Sequence, residues 1–527
     1  MRRNQEAFFI LLWAILFGGF VRFYPVMQAG FPINDGGLFY QMILDLLAHN
    51  FRLPTFASYN GGVLPFAYPP FPFYFSALLV KLFQLDPLQI LRWLPALLAT
   101  LGLIPFFLLA RELFRDSLKA ALATFAYAML PESFAWLIMG GGLTRAMGRL
   151  FALLTLFLVY RLYTTRQRRL ILPAALSTVL LCLSHPEATV HTLGMVAVFW
   201  LFRARRRDSA IHSALVALLV LLFSAPWWWT VTQQHGWQIF RAAAQTGWQN
   251  AFGLTFLLSD FTFELGLSLI GVLALIGLLA QLLRREFLLP LLLLVPVLLE
   301  PRSAPTVVTI PLALLAAEGL VEVLFPAFAR LTKRQASPDE SESTLSALNG
   351  PLRPVTTFYL LYPILGAFSI AMILSANALQ PAELSAMHWI KDNTPQSARF
   401  VLVTPTTTDM DTPLQEWFPV LSGRVSQNVV QGYEWLGREI FSRRRENFAR
   451  LNACAYQTED CLAHWQAASG LDFDYLYLTP VFARTYYEYS GLAGQVVGNS
   501  LLYALQASPY YEQVYATDEI YIFRKLK

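Results

Sequence analysis

The sequence predicts a polytopic α-helical membrane protein with a carboxy-terminal extracytoplasmic α/β domain, on the strength of three observations. Of its 527 residues 56% are hydrophobic and only 14% charged, and the mean hydropathy is +0.47, a composition that excludes one compact soluble domain. Apolar runs of spanning or near-spanning length recur from residue 7 to residue 376. After Ser375 the chain turns polar, and strand-like pieces alternate with helical ones.

The first run, Ala7 to Phe20, is short enough to pass for a signal peptide. No small-residue cleavage site follows it before Pro25, so it reads as a retained span over 7–25. Further runs lie at 93–110, 118–131, 147–163, 170–184, 188–202, 210–230, 265–283, 287–300, 304–326 and 355–376. The run Pro69 to Leu85 is ambiguous, and basic clusters resolve it. Arg2-Arg3, Arg111 to Lys119, Arg166 to Arg169, Arg203 to Arg207, Arg284-Arg285 and Lys333-Arg334 fall after every second span only if 69–85 does not cross. Its opening, Tyr68-Pro-Pro-Phe-Pro-Phe-Tyr74, breaks a helix at its start and favours the interface, so the run is expected to lie flat or re-enter.

This parity gives about eleven spans in a module over 1–376, with the amino terminus cytoplasmic. It places 26–91, 132–146, 185–187, 231–264 and 300–303 on one outer face, and the polar linker 331–353 in the cytoplasm as a disordered loop. The Lys and Arg are accounted for by the lipid bilayer, so no nucleic acid is expected as a partner. Over 377–527 an outer α/β domain is expected, with strands at Arg399–Thr404, Tyr475–Leu478 and Glu519–Arg524 and helices such as Ala382–Asp392 and Arg438–Leu451. Cys454 and Cys461 enclose a short loop that can close as a disulfide outside the cytosol, whereas Cys182 lies in an apolar run and is expected to be inert.

Chemistry is expected on the outer face. In Phe31-Pro-Ile-Asn-Asp-Gly-Gly-Leu-Phe-Tyr40, Asp35 stands just beyond the first span, beside two glycines that permit a tight turn. Either it caps the helix that follows over 38–47, or it does chemistry at the membrane surface, or both. Arg92 opens the second span, Glu132 follows the third, and Arg145 lies in Gly140-Gly-Gly-Leu-Thr-Arg-Ala-Met-Gly148, whose glycines can bring N–H groups to an anion. Arg145 can face a phosphate, pair with Glu132 or snorkel to the interface. In Ser184-His-Pro-Glu-Ala-Thr-Val-His191, His185, Glu187 and His191 are candidate ligands for Mg²⁺ or Mn²⁺, or else polar groups of a capping turn. Arg302, in Glu300-Pro-Arg302, is a further candidate cation for a phosphate, or a partner of Glu300.

This pattern resembles the GT-C superfamily of membrane glycosyltransferases, which includes protein O-mannosyltransferases, oligosaccharyltransferase catalytic subunits and lipid A aminoarabinose transferases. Asp35, the helix Leu38 to Leu47, Pro69-Pro70 ahead of the helix to Leu85, and Arg92 before the next span match that family in order. Many members carry two adjacent acids in the first loop, whereas Asn34 and Gly36 flank Asp35. Trp227-Trp-Trp229 lacks the acid of the oligosaccharyltransferase Trp-Trp-Asp motif, and Gln431-Gly-Tyr-Glu-Trp435 only loosely echoes it, so transfer to an asparagine sequon is not expected. Glu416-Trp-Phe-Pro419 and Gly423-Arg424 look like outer-domain elements of bacterial relatives, with core packing as their plainer role.

The resemblance implies an inverting transfer from a polyprenyl-phosphate sugar to an extracytoplasmic glycan, lipid or protein. Asp35 would be the base, and Arg92, Arg145 and Arg302 would hold the phosphate. His185, Glu187 and Glu132 would orient the acceptor or an ion, and a divalent cation is the one cofactor considered. The alternative is a multi-span transporter or flippase of a lipid-linked or anionic substrate.

Overall fold

The structure is a computed structural model that describes residues 2–204, 206–246, 268–333, 347–348, 350–406, 412–480 and 499–526. Ten helices occupy the first part of the chain: α1 (Arg2–Ala29), α2 (Gly37–Ala48), α3 (Phe71–Phe83), α4 (Pro87–Leu101), α5 (Leu103–Phe114), α6 (Ser117–Met129), α7 (Gly142–Thr165), α8 (Ile171–Cys182), α9 (Pro186–Arg203) and α10 (Arg207–His235). Their starts follow from local chemistry. The Asp86 carboxylate accepts from the Leu88 amide just ahead of Pro87 in α4, and Asp116 does the same for Leu118 and Lys119 in α6.

Among the described residues six helical segments are long and apolar enough to cross a membrane: α1, α4 with α5, α7, α10, Ala304–Leu331 and Gly350–Ser375. Five more expected runs form shorter helices of 12 to 18 residues, namely α6, α8, α9, Leu269–Leu283 and Leu288–Leu299. Over the described residues every expected apolar run is therefore helical, but length and composition alone qualify six crossings there rather than eleven. Helices α2 and α3, of 12 and 13 residues, reach only about 18–20 Å and fall short of a ~30 Å hydrocarbon core. Of the linker expected over 331–353, residues 334–346 and 349 lie outside the described residues, as do 247–264 of the segment 231–264.

One buried cation organises the end of this module where α1 meets the turn after α6. Arg22 of α1 is fully buried and donates to the carbonyls of Gly18 and Ala128, each at 2.9 Å, and to the Ser133 hydroxyl at 3.0 Å, with its guanidinium 5.1 Å from the Phe134 ring centre. A charge withdrawn from water is tolerated only where such acceptors surround it. The consequence is local: α1 holds the turn Pro131–Ser133, which leads into the glycine run before α7.

Between α2 and α3, strands β1 (Phe56–Ala57) and β2 (Leu64–Pro65) form a small antiparallel hairpin. Beyond the last long helix come β3 (Arg399–Val403), β4 (Val425–Ser426), β5 (Tyr475–Leu478), β6 (Tyr511–Ala516) and β7 (Tyr521–Lys525). They form one mixed sheet in the order β4-β3-β5-β7-β6, with β3 parallel to β4 and β5, and β7 antiparallel to β5 and β6. Alternate residues serve opposite faces. Phe400, Leu402 and Tyr477 join the core containing Trp417 and Phe418, while Val401, Val403, Leu476 and Leu478 join Leu451, Trp465 and Leu501. Helices therefore cover both faces, and β5 is buried throughout. The three expected strands and both expected helices of this region form, and Cys454 is bonded to Cys461. Arg424 donates to the carbonyls of Lys391 and Thr394 at 2.8 and 2.7 Å, which is a structural role at a helix end.

Candidate active site

Asp35 sits in a loop held from three sides. The Ile33 carbonyl accepts from Gly140 N–H at 2.8 Å, Asn34 N–H donates to the Asn377 carbonyl at 2.6 Å, and the Trp417 indole donates to the Asn34 carbonyl at 2.9 Å. The Asp35 side chain then meets the start of α7: Gly141 N–H donates to Oδ1 at 2.8 Å, and the Arg145 guanidinium donates to Oδ2. A helix amino terminus and a guanidinium thus hold the carboxylate from two directions. Arg145 is itself aimed by a bond to the Trp136 carbonyl at 3.1 Å and by the Trp136 ring, 5.4 Å away.

The sequence reading of Asp35 as helix cap is corrected here. The cap position of α2 belongs to Gly36, and the N–H groups of Gly36 and Leu38 donate instead to Glu416 Oε1, at 2.9 and 3.4 Å. Likewise, the cation Arg145 pairs with Asp35 rather than with Glu132. Glu132 is buried and in electrostatic contact with Arg149, one turn further along α7. The glycine run matters for a steric reason at Gly141, where a Cβ would stand 2.6 Å from the Asp35 carboxyl carbon and closer still to Oδ2. Overpacking of this kind costs about 1–3 kcal/mol. Gly141→Ala is accordingly expected to lower the unfolding midpoint of the purified protein by several degrees. Gly19→Ala, whose Cβ would rest an ordinary 3.6 Å from Thr100, should leave it unchanged.

A second polar group lies alongside. His185 begins α9: its Nδ1 accepts from the Ala188 amide at 3.2 Å, which leaves Nε2 to carry the ring proton. Burial first, then the charges of Arg145 and Arg149, push its pKa down to about 3, so the imidazole is neutral at physiological pH. Gly148 allows the approach of α7, since a Cβ there would stand 2.5 Å from His185 Cβ. His191 Nε2 lies 3.3 Å from Glu300 Oε2 and 3.1 Å from the Ser303 hydroxyl. Glu300 also accepts from the amides of Arg302 and Ser303, each at 2.9 Å. Burial pushes the Glu300 carboxyl up, but the bonds from His191 and Ser303 outweigh it and hold the pKa below its ordinary value. Arg302 is solvent-accessible and ringed by Glu187, Glu434 and Glu300, with Tyr68 beside them. Tyr68 in turn donates its hydroxyl to Glu434.

The structure thus brings together Asp35 and Arg145 directly, and His185, Glu187, His191, Glu300 and Arg302 as an adjoining electrostatic cluster. Arg92 is not part of either. Its guanidinium donates to the carbonyls of Val26 and Met27, at 3.0 and 3.3 Å, and lies over Trp93, so it closes the end of α1. The expected metal set is also corrected. Among the described residues no three His, Cys, Asp or Glu side chains converge as ligands, because His185 spends Nδ1 on its own helix while His191 points its Nε2 at Glu300 and Ser303. These three side chains do not fit a shared ion. Arg149, Glu416, Glu434 and Tyr68 belong to the site region although sequence reasoning gave them no part in it.

A family model described as dolichyl-phosphate-mannose-protein mannosyltransferase matches residues 67–229, a stretch that holds Arg145 and His185 but not Asp35. No curated protein matches the chain. ArnT from Cupriavidus metallidurans, solved with undecaprenyl phosphate, is 14% identical over 97% of both chains with a TM-score of 0.56. The arabinofuranosyltransferase AftD from Mycobacteria is 16% identical with a TM-score of 0.57, covering 98% of this chain and 40% of that one. The oligosaccharyltransferase of Archaeoglobus fulgidus, solved with Zn and sulfate, is 15% identical over 89% of this chain and 68% of its own, with a TM-score of 0.53. The chain therefore spans well under half the length of AftD. In three dimensions it resembles the GT-C membrane glycosyltransferases, as its motifs imply, and it is a multi-pass membrane protein of that fold.

Proposed function

We propose that this protein is an inverting glycosyltransferase that moves a sugar from a polyprenyl-phosphate donor to an extracytoplasmic hydroxyl acceptor. The observation that carries the reading is the Asp35 carboxylate, fixed between Gly141 N–H and Arg145 at the start of α7, in a fold shared with a transferase solved with undecaprenyl phosphate. A sugar on a phosphate already has a good leaving group, so the site must mainly take a proton and neutralise an anion. The acceptor oxygen would bond to the anomeric carbon from the face opposite the phosphate as its O–H proton passes to Asp35. The bond from that carbon to the phosphate oxygen breaks, and the electron pair leaves with the polyprenyl phosphate. Configuration inverts because attack and departure are on opposite faces.

Arg145 and Arg302 are the cations proposed to receive the phosphate. Neutral His185, together with Glu187 and Glu132, would orient the acceptor. Arg92 is reassigned to the frame that holds α1. The bonded pair Cys454–Cys461 supports an outer, oxidising location for the sheet region, and with an odd number of crossings, such as the eleven expected from the sequence, the amino terminus is then cytoplasmic.

The test is reconstitution of the purified protein in a bilayer with a panel of polyprenyl-phosphate sugars. Release of polyprenyl phosphate, with an inverted anomeric centre in the product, is the expected result. No release from any donor, or retained configuration, would sink the reading. Chelation in the same assay addresses the divalent ion separately: a loss of activity that Mg²⁺ or Mn²⁺ restores would require ligands other than His185, Glu187 and His191 acting together.

A further inference from the structure

Glu416 is a buried carboxyl that the proposed chemistry leaves without a role. It lies in the helix Pro413–Ser422 and is 7% exposed. Its Oε1 accepts from Gly36 N–H at 2.9 Å and from Leu38 N–H at 3.4 Å, across 380 and 378 residues of sequence. Its backbone carbonyl accepts from the Tyr59 hydroxyl at 2.7 Å, while the next residue, Trp417, donates its indole N–H to the Asn34 carbonyl at 2.9 Å. The residues on both sides of Asp35 are thus held by two consecutive residues of one helix. The fit is close: a Cβ on Gly37 would overlap the Glu416 carbonyl oxygen, and one on Gly36 would come within 3.0 Å of the Trp417 ring.

We propose that Glu416 is a positioning residue of the transfer reaction, gripping through Gly36 N–H and Leu38 N–H the loop that carries Asp35, so that the carboxy-terminal region completes the site. The inference rests on the reading of Asp35 as the base. A side chain that merely capped α2 would do so at any charge, whereas Glu416 stands in the field of the groups that do the chemistry. Facing it are Asp35 from the loop between α1 and α2, Arg145 from α7, Tyr59 from the hairpin region, and Tyr68 ahead of α3.

Burial first, and then the Asp35 carboxylate, push the Glu416 carboxyl up to about 8, against the opposing pull of the two N–H groups and Arg145. Below that pH Glu416 carries a proton and leaves Asp35 to the influence of Arg145. Above it Glu416 is an anion, and its bonds from Gly36 N–H and Leu38 N–H become charge-assisted and stronger, which tightens the loop that carries Asp35. Transfer should therefore increase as pH rises through about 8. The accompanying stability change has the opposite sign. A carboxyl whose folded pKa exceeds its unfolded value of 4.5 favours the fold below about 4.5, and that contribution is lost as pH climbs to about 8.

The experiment uses the full chain in a bilayer, with Glu416→Gln and Glu416→Ala compared with wild type. It reads kcat and KM on both sides of pH 8 and amide hydrogen exchange at residues 36–38. Glu416→Ala should lower kcat about tenfold or more with donor KM within about twofold, since binding survives while the reacting geometry loosens. It should also speed exchange at Gly36 and Leu38 at least about tenfold while the amides of α7 stay protected. Glu416→Gln keeps an acceptor oxygen, so it should keep the exchange protection and most of the neutral-pH rate but lose the rise near pH 8. Unchanged exchange at Gly36 and Leu38 in Glu416→Ala, or a wild-type rate and pH profile in that variant, overturns the proposal. If wild type transfers no sugar at all, the proposed reaction is what has failed, and the exchange data alone then decide whether Glu416 holds the loop.

Discussion

Asp35→Asn is expected to lower the rate of transfer about 10²–10⁴-fold, the range a positioned general base contributes. Asparagine has nearly the same shape and keeps an oxygen for Gly141 N–H, so the loop should hold its place. It cannot take a proton from an acceptor hydroxyl near neutral pH. It also leaves Arg145 with one carboxylate fewer, but the Asp35 and Arg145 side chains are 13% and 23% exposed, so water offsets much of that loss. The unfolding midpoint should therefore move little while kcat collapses. That separation is the diagnostic point, because a structural carboxylate would lose stability along with rate. A variant that turns over within about tenfold of wild type would remove Asp35 from the role of base.

The membrane helices were legible in the sequence because each apolar run is long relative to a helical turn, and lipid enforces helix wherever backbone polar groups leave water. Asp35 and Arg145 were legible as separate candidates, since a charge at the outer end of an apolar run is costly without purpose. Their pairing across 110 residues was not, because no local pattern encodes it. The same holds for Glu416, which reads locally as one acid in a short apolar helix and acquires meaning only where that helix meets Gly36 and Gly37. Local reading also misled at the turn before α9. His185, Glu187 and His191 fall within seven residues of sequence, yet Pro186 starts the helix. Positions 187 and 191, four apart, share a face, whereas His185 turns back to cap its own helix. Arg92 stands out by its place in the family pattern, while Arg149, buried one turn beyond Arg145 and donating to Thr306 at 3.0 Å, carries no local signal that sets it apart in the run 147–163.

Replacing Arg145 should be nearly as damaging as replacing Asp35, by a different route. The guanidinium serves two anions in the proposed reaction: it orients the Asp35 carboxylate, and it faces the phosphate whose charge develops as the sugar departs. Removing one preorganised donor of this kind typically costs about 10²–10³ in kcat, so Arg145→Ala should fall in that range. Stability should suffer more than in Asp35→Asn, because Asp35 then keeps Gly141 N–H but loses its cation. A fully buried pair broken on one side costs about 3–5 kcal/mol. The partial exposure of this pair brings the expectation nearer to 1–2 kcal/mol. Arg145→Lys restores the charge but not the planar fork that reaches both Asp35 and the Trp136 carbonyl, so it should recover stability better than rate. The decisive measurement is the cycle with Asp35→Asn. In that background Arg145→Ala should cost little further in unfolding midpoint and far less than its single-variant loss in kcat, because residues acting as a unit are strongly non-additive. Additive losses in both quantities would mean that the ion pair at the start of α7 is not the functional unit proposed here.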